Sequence, residues 1–283
     1  MLERLNKTFV LIIVIGIAIY FLSPFYWIVI GLTKNVSQLY TRIYFGLFPG
    51  IPSHLGENFR NLFTYDHSIF KRWFLNSFFY SSVGALGSTL ISALAGFAFS
   101  RYNFLGKRFL YNLIIGFVMV PGTAFVLPLF ILFHKLGLLN SYLGVILPSL
   151  VSIFGTYLMI VSWDQIPIDI FDSAKIDGAN DVLIFFRIGL PLIIPSLLMI
   201  FILNFVQIWN NFFLPLVILN DPNKFPLTLG LSHWNSLAEL PGYTGIIPII
   251  ITGTFFSCLP LIILFLGLQK YFLSGSIAGA VKY

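Results

Sequence analysis

Six long apolar stretches run through this chain, and none of them contains Asp, Glu, Lys or Arg. A helix of about 20 apolar residues spans the hydrocarbon core of a bilayer, and each stretch reaches that length. Only 9% of the residues are charged, too few to cover a water-exposed surface. The sequence therefore predicts an all-α, polytopic membrane helix bundle. Its six transmembrane helices are expected at residues 9–32, 73–100, 109–133, 142–162, 188–219 and 244–268.

The orientation of the spans follows from the basic residues between them. Arg101, Lys107 and Arg108 share one short connection, which the positive-inside rule places in the cytoplasm. An even number of spans then puts both termini on that side. The first stretch is too long for the core of a cleaved signal peptide, so we expect a retained helix. The sequence predicts one transmembrane domain, residues 1–283, with outer segments at about 33–72 and 220–243 and a polar cytoplasmic loop at about 163–190.

Small and proline residues mark positions where the spans pack or bend. The second span has small residues at helical spacing, which let a neighbouring helix approach closely: Ser77, Ser81, Ala85, Ser88, Ser92 and Gly96. Prolines are expected to kink spans three to six: Pro121, Pro128, Pro148, Pro195, Pro215, Pro248 and Pro260.

Several kinds of chemistry are missing from the sequence. The only Gly-Lys pair, Gly106-Lys107, lacks the first glycine of a phosphate-binding loop, and no His-Glu-x-x-His or Gly-x-Ser-x-Gly motif occurs. The spans lack the ionisable groups that couple ion flow in secondary transporters. We therefore expect no catalytic residue, metal site or cofactor in this chain. The net charge of +6 lies in short clusters between spans, which indicates anionic lipid headgroups rather than nucleic acid.

The polar segment 163–190, which we call the DGA loop, has a recognisable plan. Pro167 can open a helix, and Ile166, Ile170 and Ala174 recur at four-residue spacing, which predicts one apolar face. Gly178 interrupts the pattern, and a second helix is expected to start near Asn180 or Asp181. The segment therefore predicts a short amphipathic helix, a glycine turn and a helix that enters the membrane. Composition alone would also fit a helix that simply lies in the membrane interface.

The residues of the DGA loop resemble the Glu-Ala-Ala loop of binding-protein-dependent ABC importer permeases. The family pattern is E-A-A, then D-G-A, then an Ile and a Leu-Pro, and the matching positions here are Asp172, Ser173, Ala174, Asp177, Gly178, Ala179, Ile188, Leu190 and Pro191. Asp172 and Ser173 depart from the family's Glu and Ala, which puts a salt bridge expected from that Glu in doubt. The resemblance implies that this loop couples the chain to a cytoplasmic ATPase, with an apolar face in a groove and an acidic rim.

Other stretches resemble the smaller, six-helix permease of maltose-type sugar importers. They are Asn76-Ser77, the run from Phe97 to Gly106, Trp209-Asn210-Asn211-Phe212, and the tail from Gln269 to Lys282. The resemblance implies an inner-membrane location in bacteria. It also implies four kinds of partner: a second, different permease chain, two copies of an ATPase subunit that hold ATP and Mg, an extracytoplasmic sugar-binding protein, and membrane lipids.

A path for the solute is expected along span five. Asn204, Gln207 and Asn211 recur at three- and four-residue spacing, which predicts one polar helix face near Trp209. Neutral amides suit sugar hydroxyls, but they could equally bind neighbouring helices. Three other functions stay open: a permease of the same machinery for peptides, phosphate or glycerol phosphate, a stand-alone channel or secondary transporter, and a membrane enzyme, which the missing catalytic groups disfavour.

Overall fold

The computed structural model describes the backbone of residues 2–41 and 54–278 and the side chains of residues 7–40 and 54–269. Within these ranges the chain is helical and contains no strand, which confirms the all-α prediction. The α-helices are α1 Leu2–Gly31, α2 Val36–Thr41, α3 Leu55–Thr64, α4 Ile69–Arg101, α5 Lys107–Val118, α6 Val126–Lys135, α7 Tyr142–Ser149, α8 Ile153–Asp164, α9 Ile168–Ile176, α10 Asp181–Leu183, α11 Leu190–Leu192, α12 Ile194–Trp209, α13 Phe213–Ile218, α14 Leu227–Ala238 and α15 Ile247–Ala278. Shorter turns lie at Tyr65–Ser68, Gly122–Phe125, Pro222–Lys224 and Thr244–Ile246, and a π-helix covers Ile184–Gly189.

Four stretches are long and apolar enough to cross a membrane as single spans. They are Lys7–Gly31, Leu55–Arg101, Tyr142–Asp164 and Thr244–Gln269. Two further pairs of helices, Lys107–Val118 with Gly122–Lys135 and Asp181–Leu192 with Ile194–Trp209, pass the same test together. Six spans result when each pair is one span, in agreement with the sequence.

The third and fifth spans each consist of two helices that are sharply bent at the break between them. Helices α5 and α6 meet at 104°, where Pro121 adopts an extended conformation. The second break bends the chain by 82° at Ile193, just before Pro195. Proline has no backbone N–H that could donate a hydrogen bond to the preceding turn, so the helix ends there. Pro260, by contrast, lies inside the uninterrupted helix α15.

The contacts divide the chain into two compact units, and the first comprises Met1–Lys71 and Leu231–Leu259. In this unit α1 is exposed along most of its length and apolar on all sides. Asn58 fixes the end of α1, because its side-chain amide donates hydrogen bonds to the carbonyls of Leu32 (2.9 Å) and Lys34 (3.0 Å).

The second unit comprises Arg72–Gly230 and Pro260–Tyr283 and holds both candidate sites. The predicted small-residue stripe of α4 is buried along its whole length, which confirms its role in helix packing. A β-carbon at Gly96 would lie 2.8 Å from the backbone carbon of Met159, so only glycine allows this approach of α8. The core below the DGA loop is built from α4, α8, α9 and α12.

Candidate functional site

The DGA loop begins with helix α9, which has Pro167 at its N-cap, one position before the predicted one. Phe171 and Ala174 are buried on the inner face of α9. Ile166 is also buried, but it precedes the helix, so its four-residue spacing does not continue into α9. The predicted apolar face is therefore wrong at Ile170, which is exposed. The inner face packs on the chain's own core and is not free for a partner.

A tight C-terminal cap ends α9 at the glycine of the motif. Gly178 has φ +83°, a left-handed conformation that side chains with a β-carbon disfavour. Its N–H donates to the carbonyl of Lys175, and the N–H of Ala179 donates to the carbonyl of Ala174, both at 3.0 Å. These two bonds form a Schellman motif, which satisfies carbonyls at the helix end. The predicted glycine turn is confirmed, and Ala179 packs against the core beside it.

The chain then enters the membrane through a second capped helix. The side-chain oxygen of Asn180 accepts a hydrogen bond from the N–H of Leu183 at 2.8 Å, which confirms the predicted start. The π-helix follows, with Ile188 and Leu190 partly buried against the core and Pro191 exposed.

Trp163 is the centre of the core on which the loop rests. Its indole is fully buried and donates a hydrogen bond from Nε1 to the carbonyl of Ala93 at 3.0 Å. The ring stacks on Phe185 at 5.6 Å and meets Phe97 edge-on at 4.9 Å. A β-carbon at Gly189 would lie 2.6 Å from Cη2 of Trp163, so the π-helix passes over the indole only because that residue is glycine. The sequence motif did not single out Trp163 or Gly189.

Arg101 ties the end of α4 to the start of the loop. Its guanidinium donates to the carbonyls of Trp163 and Ile166, the latter at 2.9 Å, and lies 4.1 Å above the ring of Phe171. Next to it, the hydroxyl of Ser100 donates to a carboxylate oxygen of Asp164 at 2.5 Å. The connection that carries Arg101 and the DGA loop therefore lie at the same end of the spans.

The polar residues of the motif form the outer rim. Asp172, Ser173 and Asp177 are exposed, and Lys175 lies 3.7 Å from a carboxylate oxygen of Asp181. Burial raises the pKa of Tyr102 to about 12, and a hydrogen bond to Asp181 and its negative charge add to this shift.

Apolar side chains also point away from the core on the outer surface of the loop. Ile176 is 87% exposed and Ile168 59% exposed, and Val182 and Phe186 are exposed as well. We call these four residues the outer apolar patch. Isolated exposed apolar residues are common, but four in one short loop leave apolar area that the described part of this chain does not cover. The sequence pattern does not include these four residues, because its four-residue spacing begins at Ile166.

The amide segment, residues 204–211, is not a single helix face. Helix α12 ends at Trp209, so Asn211 lies beyond it and the predicted three-amide face is wrong there. Asn204 is buried, and its side-chain oxygen accepts a hydrogen bond from the hydroxyl of Ser152 at 2.8 Å. Its amide nitrogen is buried without a partner among the described residues. Gln207 is exposed.

Trp209 is packed rather than open to a path. It is almost fully buried, stacks on Phe205 at 5.8 Å and meets Phe74 edge-on at 5.7 Å. The backbone carbonyl of Asn211 accepts a hydrogen bond from the hydroxyl of Thr228 at 2.9 Å, while its side chain is half-buried. Of the four predicted pathway residues, only Gln207 therefore presents an exposed amide.

The family to which the chain belongs follows from a comparison that spans both candidate sites. A model of the family described as "Binding-protein-dependent transport system inner membrane component" matches residues 87–276, more than half of the chain. The chain belongs to this family. It is a multi-pass membrane protein of a family of transport permeases, not of catalytic enzymes.

Curated relatives of this permease cover most of its length. The arabinooligosaccharides transport system permease protein AraQ of Bacillus subtilis (strain 168) is 34% identical over 267 residues, which are 94% of this chain and 92% of the relative. AraQ of Halalkalibacterium halodurans is 36% identical over 226 residues, 80% of this chain and 79% of the relative. The lactose transport system permease protein LacG of Rhizobium radiobacter is 31% identical over 260 residues, 92% of this chain and 90% of the relative.

A solved structure has the same fold as this permease. It is a chain from the crystal structure of a bacterial ABC transporter involved in the import of the acidic polysaccharide alginate. The two chains agree with a TM-score of 0.84 over 95% of this chain and 97% of the other, at 22% sequence identity. The six-span importer fold that the sequence predicts is therefore confirmed.

The first part of segment 220–243, which the sequence predicts to lie on the outer side, is held in place by hydrogen bonds from α4. Four side chains of α4 form hydrogen bonds with the backbone of residues 222–227. Trp73 donates to the carbonyl of Pro222 (2.8 Å), Tyr80 donates to the carbonyl of Lys224 (2.9 Å), and Asn76 donates to the carbonyls of Asn223 (2.9 Å) and Phe225 (3.0 Å). The hydroxyl of Ser77 accepts a hydrogen bond from the N–H of Leu227 (2.7 Å). An ordinary solvent loop would not need this many buried polar contacts.

Part of the tail that resembles the maltose-type permeases, Gly279–Lys282, lies outside the described residues.

Proposed function

We propose that this chain is a pore-forming permease subunit of an ATP-driven importer that moves a sugar or oligosaccharide across the bacterial cytoplasmic membrane. Residues 1–283 form one permease domain with both termini in the cytoplasm. The family membership supports an importer served by a binding protein. The names of the relatives, which are permeases of arabinooligosaccharide and lactose transport systems, support a sugar as the solute.

The DGA loop is the element that couples this chain to the ATPase. Two observations together support this role. The loop is held rigidly, because it is capped at both turns and packs on Trp163. The outer apolar patch on the same loop is exposed. A rigid element with an apolar surface can fit a groove and transmit movement as one body. Asp172, Ser173 and Asp177 rim the patch and set its orientation.

ATP hydrolysis takes place on two copies of a separate subunit, which hold ATP and Mg. The sequence of this chain contains no phosphate-binding loop, and its six long apolar stretches contain no charged residue that could couple an ion gradient. A second, different permease chain completes the pore. An extracytoplasmic sugar-binding protein delivers the solute to the outer side, where Pro222 and Asn223 are exposed and held in place by α4.

The solute path is lined by Gln207, with Asn211 at its edge. Gln207 presents an exposed, neutral amide that can donate to and accept from sugar hydroxyls. Asn204 contributes to packing through Ser152, and its buried, unpaired amide nitrogen requires an acceptor such as an internal water molecule. Trp209 supports the wall of the path from behind, because its ring faces Phe205 and Phe74.

Reconstitution tests this function. The complex should be placed in liposomes with the binding protein, and uptake of labelled arabino-oligosaccharides, lactose, a peptide, phosphate and glycerol phosphate should be compared. We expect uptake of a sugar that requires ATP and all partners. Uptake of a non-sugar solute would assign the chain to another branch of the same machinery. Solute movement by this chain alone, without ATP, would contradict the importer and indicate a channel or secondary transporter.

A further inference from the structure

A groove with basic and amide side chains lies beside the connection between α4 and α5. Its volume is about 920 Å³, and it is formed by residues 99, 103–109, 111 and 112 with Ile160 and Asp164 of α8. The DGA loop lies at the same end of the spans, as the bonds from Arg101 and Ser100 show. The groove meets the DGA loop only at Asp164 and contains none of the motif residues of that loop.

The charges that face the groove favour an anion. Lys107 and Arg108 line it against a single carboxylate, Asp164. Asp164 already accepts the hydrogen bond from Ser100 at 2.5 Å, which occupies one of its oxygens. Lys107 donates one hydrogen bond to the carbonyl of Tyr102 at 3.0 Å and keeps two further donors. The net charge around the groove is therefore positive.

Arg108 and three neutral side chains in the groove have polar atoms that are available to bind a ligand. Arg108, Asn103, Tyr111 and Asn112 all line it, and none of them makes a side-chain hydrogen bond or ion pair to another described residue. A guanidinium can bind a phosphate through two parallel hydrogen bonds, and amide and phenol groups add single donors. Together they match a phosphate better than a carboxylate of a flexible side chain, because a phosphate accepts from several directions at once.

The surface around the groove is apolar and continues along a membrane helix. Leu105 at the tip of the connection is fully exposed, and Phe109 on the next turn is largely exposed. Further along α5, Leu113 and Phe117 are also exposed. Aromatic and basic residues at the end of a membrane span are typical of the headgroup level, with apolar residues beyond them in contact with acyl chains.

We propose that this groove binds one anionic phospholipid, with its phosphate between Arg108 and Lys107 and its acyl chains along the exposed face of α5. The amide and phenol groups of Asn112 and Tyr111 complete the headgroup site. This proposal does not depend on the solute that the permease carries. It places a bound lipid against α8, the helix that leads into the DGA loop.

Native mass spectrometry can test the site on the full chain, in the complex in which it purifies. Retained lipid should be counted after incubation with phosphatidylglycerol or with phosphatidylcholine. We expect phosphatidylglycerol to be retained in preference to phosphatidylcholine. Since each basic side chain near an anionic headgroup strengthens binding by about fivefold, Arg108→Ala should lower retention by about that factor. Tyr111→Phe, which keeps the charge, should lower it less.

Lys135→Ala is the matched control, because it removes the same charge from the end of α6, outside the groove. Equal losses from Arg108→Ala and Lys135→Ala would mean a general charge effect and would overturn the proposal. Equal retention of the two lipids would also overturn it, as would displacement of phosphatidylglycerol by millimolar inorganic phosphate. If Arg108→Ala leaves lipid retention unchanged but weakens binding of the ATPase subunit, the groove is a protein interface instead.

Discussion

The DGA loop and the amide segment are both polar stretches of the second unit, but they are held in place in different ways. The DGA loop is fixed mainly by its own backbone: a Schellman cap at Gly178 and a side-chain cap at Asn180 set its shape. The amide segment covers the end of α12, where the side chain of Asn210 donates to the carbonyl of Val206 at 2.9 Å. Two of its amide residues also have distant partners, Ser152 for Asn204 and Thr228 for Asn211. One region is a preformed element, whereas the other is part of the packing between helices.

This difference separates two ways in which a polar residue can serve a permease. In the DGA loop the polar and apolar outer residues are free, because the backbone and Trp163 already hold the loop. In the amide segment, a side chain that is hydrogen-bonded to another part of the chain is not available to bind the solute. Asn204 is such a side chain, because it is bonded to Ser152. Substitutions should therefore separate stability from transport in the first region and mix them in the second.

Removal of the support under the loop should give the largest effect. Trp163→Ala deletes a fully buried indole and its hydrogen bond to Ala93, which we expect to cost about 3–5 kcal/mol of stability and to abolish uptake. Phe186→Ala is the control, since Phe186 is an exposed ring of the same loop. It should leave the unfolding temperature unchanged and weaken only the stimulation of ATPase activity. Equal destabilisation by both variants would show that the exposed residues of the loop support its structure as much as the buried Trp163 does.

A second test separates backbone strain from bulk at Gly178. Nothing lies within 4 Å of a β-carbon built there, so any penalty comes from the positive φ and not from a clash. Gly178→Val should cost about 1–2 kcal/mol and uncouple hydrolysis from uptake, because a left-handed conformation is costly for side chains with a β-carbon. Gly178→Asn should retain most of the coupling, since Asn tolerates this conformation better. The two can be compared by the ratio of sugar imported to ATP hydrolysed, and equal behaviour would contradict the capped-turn account.

The amide segment should respond in the opposite way at two neighbouring positions. Asn204→Leu removes the acceptor of the Ser152 hydroxyl and should cost on the order of 1 kcal/mol, the size of hydrogen bonds between membrane helices. Gln207→Leu should leave stability and assembly unchanged but slow uptake or alter sugar selectivity. Thermal unfolding and uptake by the same preparations can decide this. Unchanged uptake by Gln207→Leu would move the solute path to the second permease chain.

The smallest effect is expected at the rim, from Tyr102. Its pKa of about 12 in the folded chain lies above the ordinary value of 10.0, so the protonated phenol is favoured by folding. The stability from this shift is complete below pH 10 and is lost as the pH rises through about 12. The difference in phenolate absorbance between the wild type and Tyr102→Phe should therefore titrate near pH 12. A transition near pH 10 would show that neither burial nor Asp181 raises the pKa of Tyr102.

The sequence was informative where local geometry decides the structure. The glycine turn and the cap at Asn180 follow from conformational preferences of single residues, and the burial of the α4 stripe follows from helical spacing. The family match confirms the resemblance to importer permeases, whereas the coupling role of the DGA loop stays a prediction.

The sequence failed where contacts between distant segments decide. The inner face of α9 contains Phe171 rather than Ile170, because the helix starts after Ile166 and the core below it is shaped by Trp163. The break before Pro195 and the end of α12 at Trp209 place Asn211 outside the predicted face. Nothing in the spacing of amides tells which of them meets a partner from α8.

Site-specific crosslinking to the ATPase tests the central claim most directly. Cysteines should be introduced at Ile176, which is 87% exposed in the outer apolar patch, and at Ala174, which is buried against the chain's own core two residues away. In the assembled transporter, Ile176→Cys should crosslink to the ATPase subunit, and Ala174→Cys should not. Labelling of Ile176→Cys only by reagents added from the outer side of the membrane, with no crosslink to the ATPase, would contradict the account.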